Sequence, residues 1–155
     1  MNERIYRIAP SSLHGLGLFC MDDIKVGYSR CTELMEYVGP CYNYSDWMRL
    51  VRYGLLENYI QLKDKVQNKG AMMYMDGRPK KTGTIAGFIN STQPGSKLKQ
   101  DNCIFESCEG NRVFVCAIKS ITTSEELLID YNLNRVDTNN VSMVMVQQTI
   151  YKSFY

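Results

Sequence analysis

The side chains best suited to chemistry occupy short, widely separated segments of the 155-residue chain. The turn Gly15–Leu16–Gly17 can bring backbone amides and carbonyls close to a ligand, because glycine has no Cβ. Asn90 carries an amide with donors and acceptors that can bind polar atoms of a ligand. Tyr131 carries a phenol that is neutral at pH 7 and can orient an amine through a hydrogen bond. These residue types favour binding and orienting a ligand.

Nucleophilic and metal chemistry have little support in the residue pattern. The single histidine, His14, has no second histidine with which to build a nucleophile–base pair. The six cysteines include no C-x-x-C pair, and Cys103 with Cys108 is the nearest approach to one. Structural zinc sites use paired, closely spaced ligands, so we expect no metal and treat the cysteines as small core residues.

Length and composition indicate one compact domain. Hydrophobic residues make up 45% and charged residues 22% of the chain, which is ordinary for a globular protein. The formal net charge of +2 predicts no nucleic-acid-binding surface. Residues 1–12 are charged and lack a long apolar run, so no signal peptide is expected. No stretch is apolar enough to span a membrane, and we expect a reduced, intracellular protein.

Short strands separated by turns must position the chemical residues. Apolar or alternating runs predict strands at Ile5–Ala9, Leu18–Cys20, Thr32–Val38, Ala71–Met75 and Glu126–Tyr131. Two further runs, Cys103–Glu106 and Arg112–Ile118, flank a Cys-Glu-Gly-Asn segment and predict a hairpin.

Helices are predicted at two places. The first is Ser45–Glu57, which begins with a serine N-cap and carries an apolar stripe. The second lies within the C-terminal segment 136–155, where apolar residues from Met143 to Phe154 recur at helical spacing. A strand over Val141–Val146 is the alternative for this segment.

Four segments, in order, resemble motifs of the SET-domain family of lysine methyltransferases. They are His14–Phe19 for the G-x-G turn, Glu36–Gly39 for E-Y-x-G, Gly87–Ser91 with Asn102–Cys103 for R-F-I-N-H-S-C-x-P-N, and Glu125–Tyr131 for G-E-E-L-x-x-D-Y. The resemblance extends from Ile5 to Leu133, which is nearly the whole chain. The third motif departs from the pattern, because Gly87 replaces arginine, Ser91 replaces histidine, and extra residues precede Asn102.

The resemblance implies a fold and a domain plan. The fold is mostly β with a few short helices, built from several small sheets with a knot-like C-terminal arrangement. Residues 1–135 form the SET domain, in which residues 41–70 are a variable insert that makes one wall of the substrate groove. Residues 136–155 form a helical segment that packs on this core. Target choice then depends on Tyr42, Tyr44 and Trp47 in the insert.

The resemblance also implies an activity, namely methyl transfer from S-adenosyl-L-methionine to a protein lysine. The lysine amine must be neutral, which an apolar channel and the nearby sulfonium charge both favour. Tyr131 is the expected catalytic residue, with Tyr37 and Tyr74 lining the channel. The expected cofactor-binding residues are His14, Gly15, Leu16, Gly17, Phe88, Asn90, Ser91 and Tyr131. Glu126 and Asp130 are expected as structural pins, substrate contacts or surface carboxylates.

Substrate and partners follow by family analogy alone. A histone tail is the first expectation, with chromatin and a nuclear location, and a non-histone protein in the cytoplasm is the second. A homodimer is possible, and the C-terminal aromatics Tyr151, Phe154 and Tyr155 are candidates for a lid over the channel. The alternative from another class is a catalytically silent SET domain that binds a protein partner, which the Gly87 and Ser91 departures favour.

Overall fold

The computed structural model describes residues 3–13, 15–27, 31–55, 58–63, 72–76, 84–92, 100–108, 112–129 and 144–148. Its strands are β1 Tyr6–Pro10, β2 Leu16–Cys20, β3 Thr32–Tyr37, β4 Cys41–Tyr42, β5 Asn58–Lys63, β6 Met72–Asp76, β7 Asn90–Ser91, β8 Cys103–Cys108, β9 Arg112–Ala117, β10 Glu125–Glu126, β11 Leu128–Ile129 and β12 Val144–Gln148. Its helices are α1 Tyr44–Arg52 and a 3₁₀ helix at Ile85–Phe88.

The strands form three small sheets. Their orders are β1-β2-β10, β3-β9-β8-β11-β7 and β12-β5-β6-β4. Most pairs are antiparallel, whereas β11 runs parallel to both of its neighbours, β7 and β8. The expected class, mostly β with several small sheets, is confirmed.

The hairpin of β8 and β9 lies at the centre of the largest sheet. Cys103 pairs with Ala117 and the register continues to Cys108 with Arg112, as the turn residues between them predicted. Along β9, Val113, Val115 and Ala117 are fully buried because alternate residues of a strand point to the same face. This face supplies one wall of the main core.

The main core draws on segments from the whole described SET-like region. Leu18 of β2, Ile89 after the 3₁₀ helix, and Leu127 between β10 and β11 are all fully buried in the same cluster. Each full burial of such a side chain contributes roughly 1.5–3 kcal/mol to folding. The core therefore joins the first, third and fourth motif segments.

Helix α1 begins one residue earlier than predicted and ends sooner. Asn43, not Ser45, is the N-cap, and its side-chain oxygen accepts a hydrogen bond from the Asp46 amide at 2.9 Å. Gly54 has φ +65°, a left-handed conformation that ends helices, and so the predicted helix does not continue over residues 53–55. Among the residues described, no helix is long and apolar enough to cross a membrane.

The predicted C-terminal helix is wrong for the part that the structure describes. Val144–Gln148 is strand β12, which pairs antiparallel with β5 from Val144 opposite Leu62 to Gln148 opposite Asn58. The free edge of β5 offers a backbone ladder, and this long-range pairing outweighs the helical spacing of the apolar residues. The knot-like arrangement involves residues outside the described ranges and stays a prediction.

Candidate functional site

A single buried amide joins three of the motif segments. The Asn90 Nδ2 group donates to the Leu16 carbonyl at 3.0 Å and to Glu126 Oε1 at 3.0 Å. Both side chains are almost fully buried, Asn90 at 1% exposure and Glu126 at 6%. In such surroundings an unmatched polar group is costly, so these bonds fix the positions of the glycine turn, β7 and β10 relative to one another. We call Leu16, Gly17, Asn90 and Glu126 the polar junction.

The two glycines of the turn are needed for different reasons. A Cβ on Gly17 would overlap the Glu126 carboxylate and come within 3.1 Å of the Ser11 Cβ, so only glycine fits beside the junction. Gly15 has φ +50°, a left-handed conformation that glycine adopts without strain. The space around a Cβ on Gly15 is open to 4 Å. The turn thus presents exposed backbone next to free space, which fits the proposed binding of a cofactor there.

A second buried amide holds the fourth motif segment. Asn102 Nδ2 donates to the Glu126 carbonyl at 2.8 Å, and Asn102 Oδ1 accepts from the Leu128 amide at 2.9 Å. The same Nδ2 lies 3.2 Å from Glu125 Oε1. Asn102 therefore holds the backbone on both sides of Leu127.

The parallel strand β11 places the fourth motif beside the third. Leu128 is opposite Asn90 and Ile129 is opposite Ser91, while the Thr92 amide donates to the Ile129 carbonyl at 3.1 Å. Tyr131 follows Ile129 by two positions in the sequence. The chain that leads to the expected catalytic tyrosine is thus hydrogen-bonded to the segment that carries Asn90.

Comparison with known families decides the identity of this arrangement. The SET domain family matches residues 15–132. The chain belongs to the SET-domain family. Functionally curated proteins give no match.

Solved SET-domain structures share the fold. The methyltransferase domain of human histone-lysine N-methyltransferase SETMAR has a TM-score of 0.66 at 19% identity over 90% of this chain. A humanized Chaetomium thermophilum Polycomb Repressive Complex 2 bound to an inhibitor gives 0.62 at 22% identity over 88%. The chain spans 49% of the former chain's length and 16% of the latter's.

One SET-domain position here carries strain. Ser124 has φ +70° where the family pattern G-E-E-L has glycine. Its amide donates to the Cys20 carbonyl at 2.7 Å, and the next amide, of Glu125, donates to the Thr122 carbonyl at 3.0 Å. The turn before β10 thus requires the left-handed region, which costs a non-glycine residue of the order of 1 kcal/mol.

The two tyrosines expected in the channel lie in different clusters. Tyr37 is buried in the main core, where its ring meets Phe105 edge-on at 5.4 Å between centroids. Tyr74 is buried in a second cluster, stacked on Trp47 with centroids 4.0 Å apart and planes 10° apart. Their shared role as channel walls stays a prediction.

Of the remaining expected site residues, some lie within the described ranges and some lie outside them. Phe88 is half-buried and packs against the main core, and Ser91 donates from Oγ to the Thr92 carbonyl at 3.1 Å. His14 and Tyr131 lie outside the described residues, as does Asp130, so their expected roles stay predictions.

The cysteine of the third motif is a core residue. Cys103 is fully buried, and burial raises its pKa to about 12. Burial likewise raises the pKa of Cys20, so both thiols stay protonated and unreactive at neutral pH. The expectation that the cysteines are small core side chains is confirmed for these two and wrong for Cys41, which is exposed.

Sequence reasoning gave Glu126 too little weight. One expectation for it was a surface carboxylate at a strand end, but the structure buries it against Gly17 and Asn90. The signal was available in the sequence, since the apolar run Leu127–Ile129 follows directly and indicates a buried segment.

Proposed function

We propose that this SET domain transfers a methyl group from S-adenosyl-L-methionine to the side-chain amine of a protein lysine. The observation that carries the proposal is the polar junction, where Asn90 bonds to the glycine turn and to Glu126 of the fourth motif. Segments separated by more than 70 residues meet there, and each belongs to a different family motif.

The residues proposed to hold the cofactor surround this junction in the sequence or in space. They are His14, Gly15, Leu16, Gly17, Phe88, Asn90, Ser91 and Tyr131. S-adenosyl-L-methionine, when bound, supplies a methyl group activated by a positively charged sulfur. Exposed backbone at Gly15 offers donors and acceptors to it, while Glu126 acts as a positioning residue through Asn90 and Gly17.

The proposed chemistry on the lysine side is deprotonation and alignment. An amine with a pKa near 10.4 in water becomes neutral more readily in an apolar channel, because burial disfavours the charged form. The Tyr131 hydroxyl orients the nitrogen lone pair, and Tyr37 and Tyr74 contribute aromatic walls. Alignment at roughly 3 to 3.5 Å is the main contribution that the protein makes to the rate.

A histone tail is the proposed substrate, and the nucleus the proposed location. The support is the likeness in fold to the human histone-lysine methyltransferase domain. Target choice is assigned to the insert, where Tyr44 is 57% exposed at the start of α1 beside the Trp47–Tyr74 stack. A non-histone protein is the other proposed substrate.

The C-terminal aromatics are proposed to close the channel. The chain leaves β12 at Gln148, opposite Asn58 in β5, so residues 149–155 follow the edge strand of the sheet β12-β5-β6-β4. Truncation after Gln148 tests this, because removal of Tyr151, Phe154 and Tyr155 should weaken cofactor binding and slow turnover. Unchanged affinity and rate would rule out the lid.

The proposed activity is tested by calorimetry with S-adenosyl-L-methionine, followed by mass spectrometry of histone and whole-lysate substrates. The wild type should bind the cofactor and add methyl mass units. Tyr131→Phe should lose most of the rate, whereas Tyr6→Phe, in β1 and outside the proposed site, should match the wild type.

A catalytically silent SET domain that binds a protein partner is the second candidate. Its support is the departure from the family pattern at Gly87 and Ser91. Absence of binding heat and of methyl transfer, in a folded wild-type protein, would favour this second candidate over the enzyme.

A further inference from the structure

Two thiols and a carboxylate meet on the largest sheet, away from the main core. Cys31 Sγ donates to Glu106 Oε2 at 3.0 Å, and Cys116 Sγ donates to the same oxygen at 3.4 Å. The three potential ligand atoms all lie within 4.8 Å of one another. None of the three residues belongs to the polar junction or to the expected site. We call them the thiol cluster.

Sheet geometry explains why residues so distant in sequence come together. In β9, Cys116 is opposite Ile104 of β8 on one side and Glu33 of β3 on the other. Glu106 lies two residues beyond Ile104, so it reaches Cys116 diagonally on the same face. Cys31 lies two residues before Glu33 and reaches Cys116 from the opposite side. Cys116 on the central strand is thereby flanked by both partners.

We propose that Cys31, Cys116 and Glu106 bind one thiophilic divalent cation of the zinc type, with a fourth coordination position open to water. Sulfur ligands select zinc-like ions over magnesium or calcium. Bond lengths of about 2.3 Å to sulfur and 2.0–2.2 Å to oxygen place tetrahedral S and O ligands about 3.5 Å apart. The observed separations of 3.0 and 3.4 Å need only a small opening to accept the ion.

Binding exchanges protons for the cation. Without a metal, Cys31 and Cys116 each donate from Sγ to the Glu106 carboxylate, so both thiols carry a proton. Each Sγ–H bond breaks as an Sγ–metal bond forms, and two protons leave to solvent. The two thiolates and the carboxylate then balance the ion's two positive charges with one negative charge in excess.

The exposure of the three residues provides an entry path. Cys116 is fully buried, Cys31 is half-buried, and Glu106 is exposed. A hydrated cation can therefore meet the carboxylate first and exchange its water for the two sulfurs beneath. The resulting site has three protein ligands and one open position, like zinc sites that retain a water.

The test uses the full chain, reduced with a phosphine, stripped of metal and titrated with Co²⁺. We expect one equivalent to bind, with sulfur-to-cobalt charge-transfer absorption and displacement by Zn²⁺. Cys31→Ser should weaken binding at least about 100-fold and Glu106→Gln about 10-fold, on the scale seen for altered metal sites. Cys41→Ser, which changes an exposed cysteine outside the cluster, should bind like the wild type.

Three results would overturn the proposal. They are absence of stoichiometric Co²⁺ binding, binding that survives both Cys31→Ser and Glu106→Gln, and equal loss of binding in Cys41→Ser. Cys116→Ser alters a fully buried position and can unfold the protein, so the test relies on the other two variants with circular dichroism as the folding check.

Discussion

The body that carries the family motifs and the insert that carries α1 are held together differently. The main core contains fully buried side chains such as Leu18, Val115 and Leu127, and the polar junction adds buried hydrogen bonds. In the second cluster, where α1 packs on β6, Tyr74 is the buried residue, with half-buried Trp47 and its neighbours around it, and α1 has no buried residue.

The difference separates a fixed geometry from an adjustable surface within one chain. Buried polar bonds and close packing restrict the motif segments to one arrangement. Half-buried aromatic contacts stabilise the insert less and leave more side-chain freedom at its surface. A domain built in this way can change the insert, the proposed substrate wall, without moving the residues proposed to hold the cofactor.

Removing buried side-chain volume should give the largest difference in unfolding free energy between the two regions. Leu127→Ala empties a fully buried site and should cost about 2–5 kcal/mol of unfolding free energy. Leu50→Ala, half-buried against Tyr74, should cost less than half as much. Urea denaturation of both variants measures the difference, and equal losses would mean that the insert is as tightly packed as the body.

Removing the side-chain amide of the polar junction should give the second-largest loss of unfolding free energy. Asn90→Ala leaves the buried Glu126 carboxylate without its Nδ2 donor and should cost about 1–3 kcal/mol. The matched change in the insert is Asn43→Ala, which removes the α1 N-cap and should cost about 1 kcal/mol. Calorimetry should also show weaker cofactor binding for Asn90→Ala and unchanged binding for Asn43→Ala. Weaker cofactor binding in both variants would contradict the proposed separation of the two regions.

Relief of backbone strain should stabilise the body. Ser124→Gly suits φ +70° and should raise the free energy of unfolding by about 1 kcal/mol. Ser12→Gly, in an exposed turn without a positive φ, should be neutral or slightly destabilising because glycine loosens the unfolded chain. Thermal denaturation of both variants measures the change in stability. A Ser124→Gly variant less stable than the wild type would contradict the strain.

The smallest effect should come from an ion pair at the surface of the body. Arg112 bonds both Glu36 oxygens, at 2.9 and 3.0 Å, and holds the pKa of Glu36 below its ordinary value. Since the folded pKa is the lower one, the stabilisation exists above about pH 4.3 and disappears as the pH falls through the folded pKa. Partial exposure and salt screening limit it to about 1 kcal/mol or less.

A double-mutant cycle with Glu36→Gln and Arg112→Gln measures this pair. The coupling free energy should be positive at pH 7 and vanish at low pH. Coupling that persists at low pH would assign the interaction to contacts between the two side chains that do not need the charge of Glu36.

Local patterns predicted local structure well. The β8–β9 hairpin, α1 and the glycine turn depend on neighbouring residues, and their predicted positions agree with the structure to within a few residues. Strand β5 was not predicted, and β12 was considered only as the alternative to a helix, because the pairing of β12 with β5 joins residues more than 80 positions apart. Periodicity within one segment does not contain that information.

The site shows the same division. The motif residues Gly17 and Asn90 could be named from their types and spacing, whereas the burial of Glu126 depends on a contact 36 residues away in sequence. The thiol cluster was missed altogether, since Cys31 and Glu106 are 75 residues apart and metal spacing rules consider only close pairs. Sheet register, not sequence spacing, brings them together.

The parallel strand β11 has a consequence for the departure from the family pattern ahead of Asn102. The Thr92 amide donates to the Ile129 carbonyl, and the Asn102 amide donates to the Leu128 carbonyl. Adjacent residues of β11 therefore hold the chain on both sides of the extra residues. Doubling a loop between fixed ends costs only about 0.6 kcal/mol. Insertions here are thus thermodynamically cheap, and this connection is a natural place to graft a new peptide.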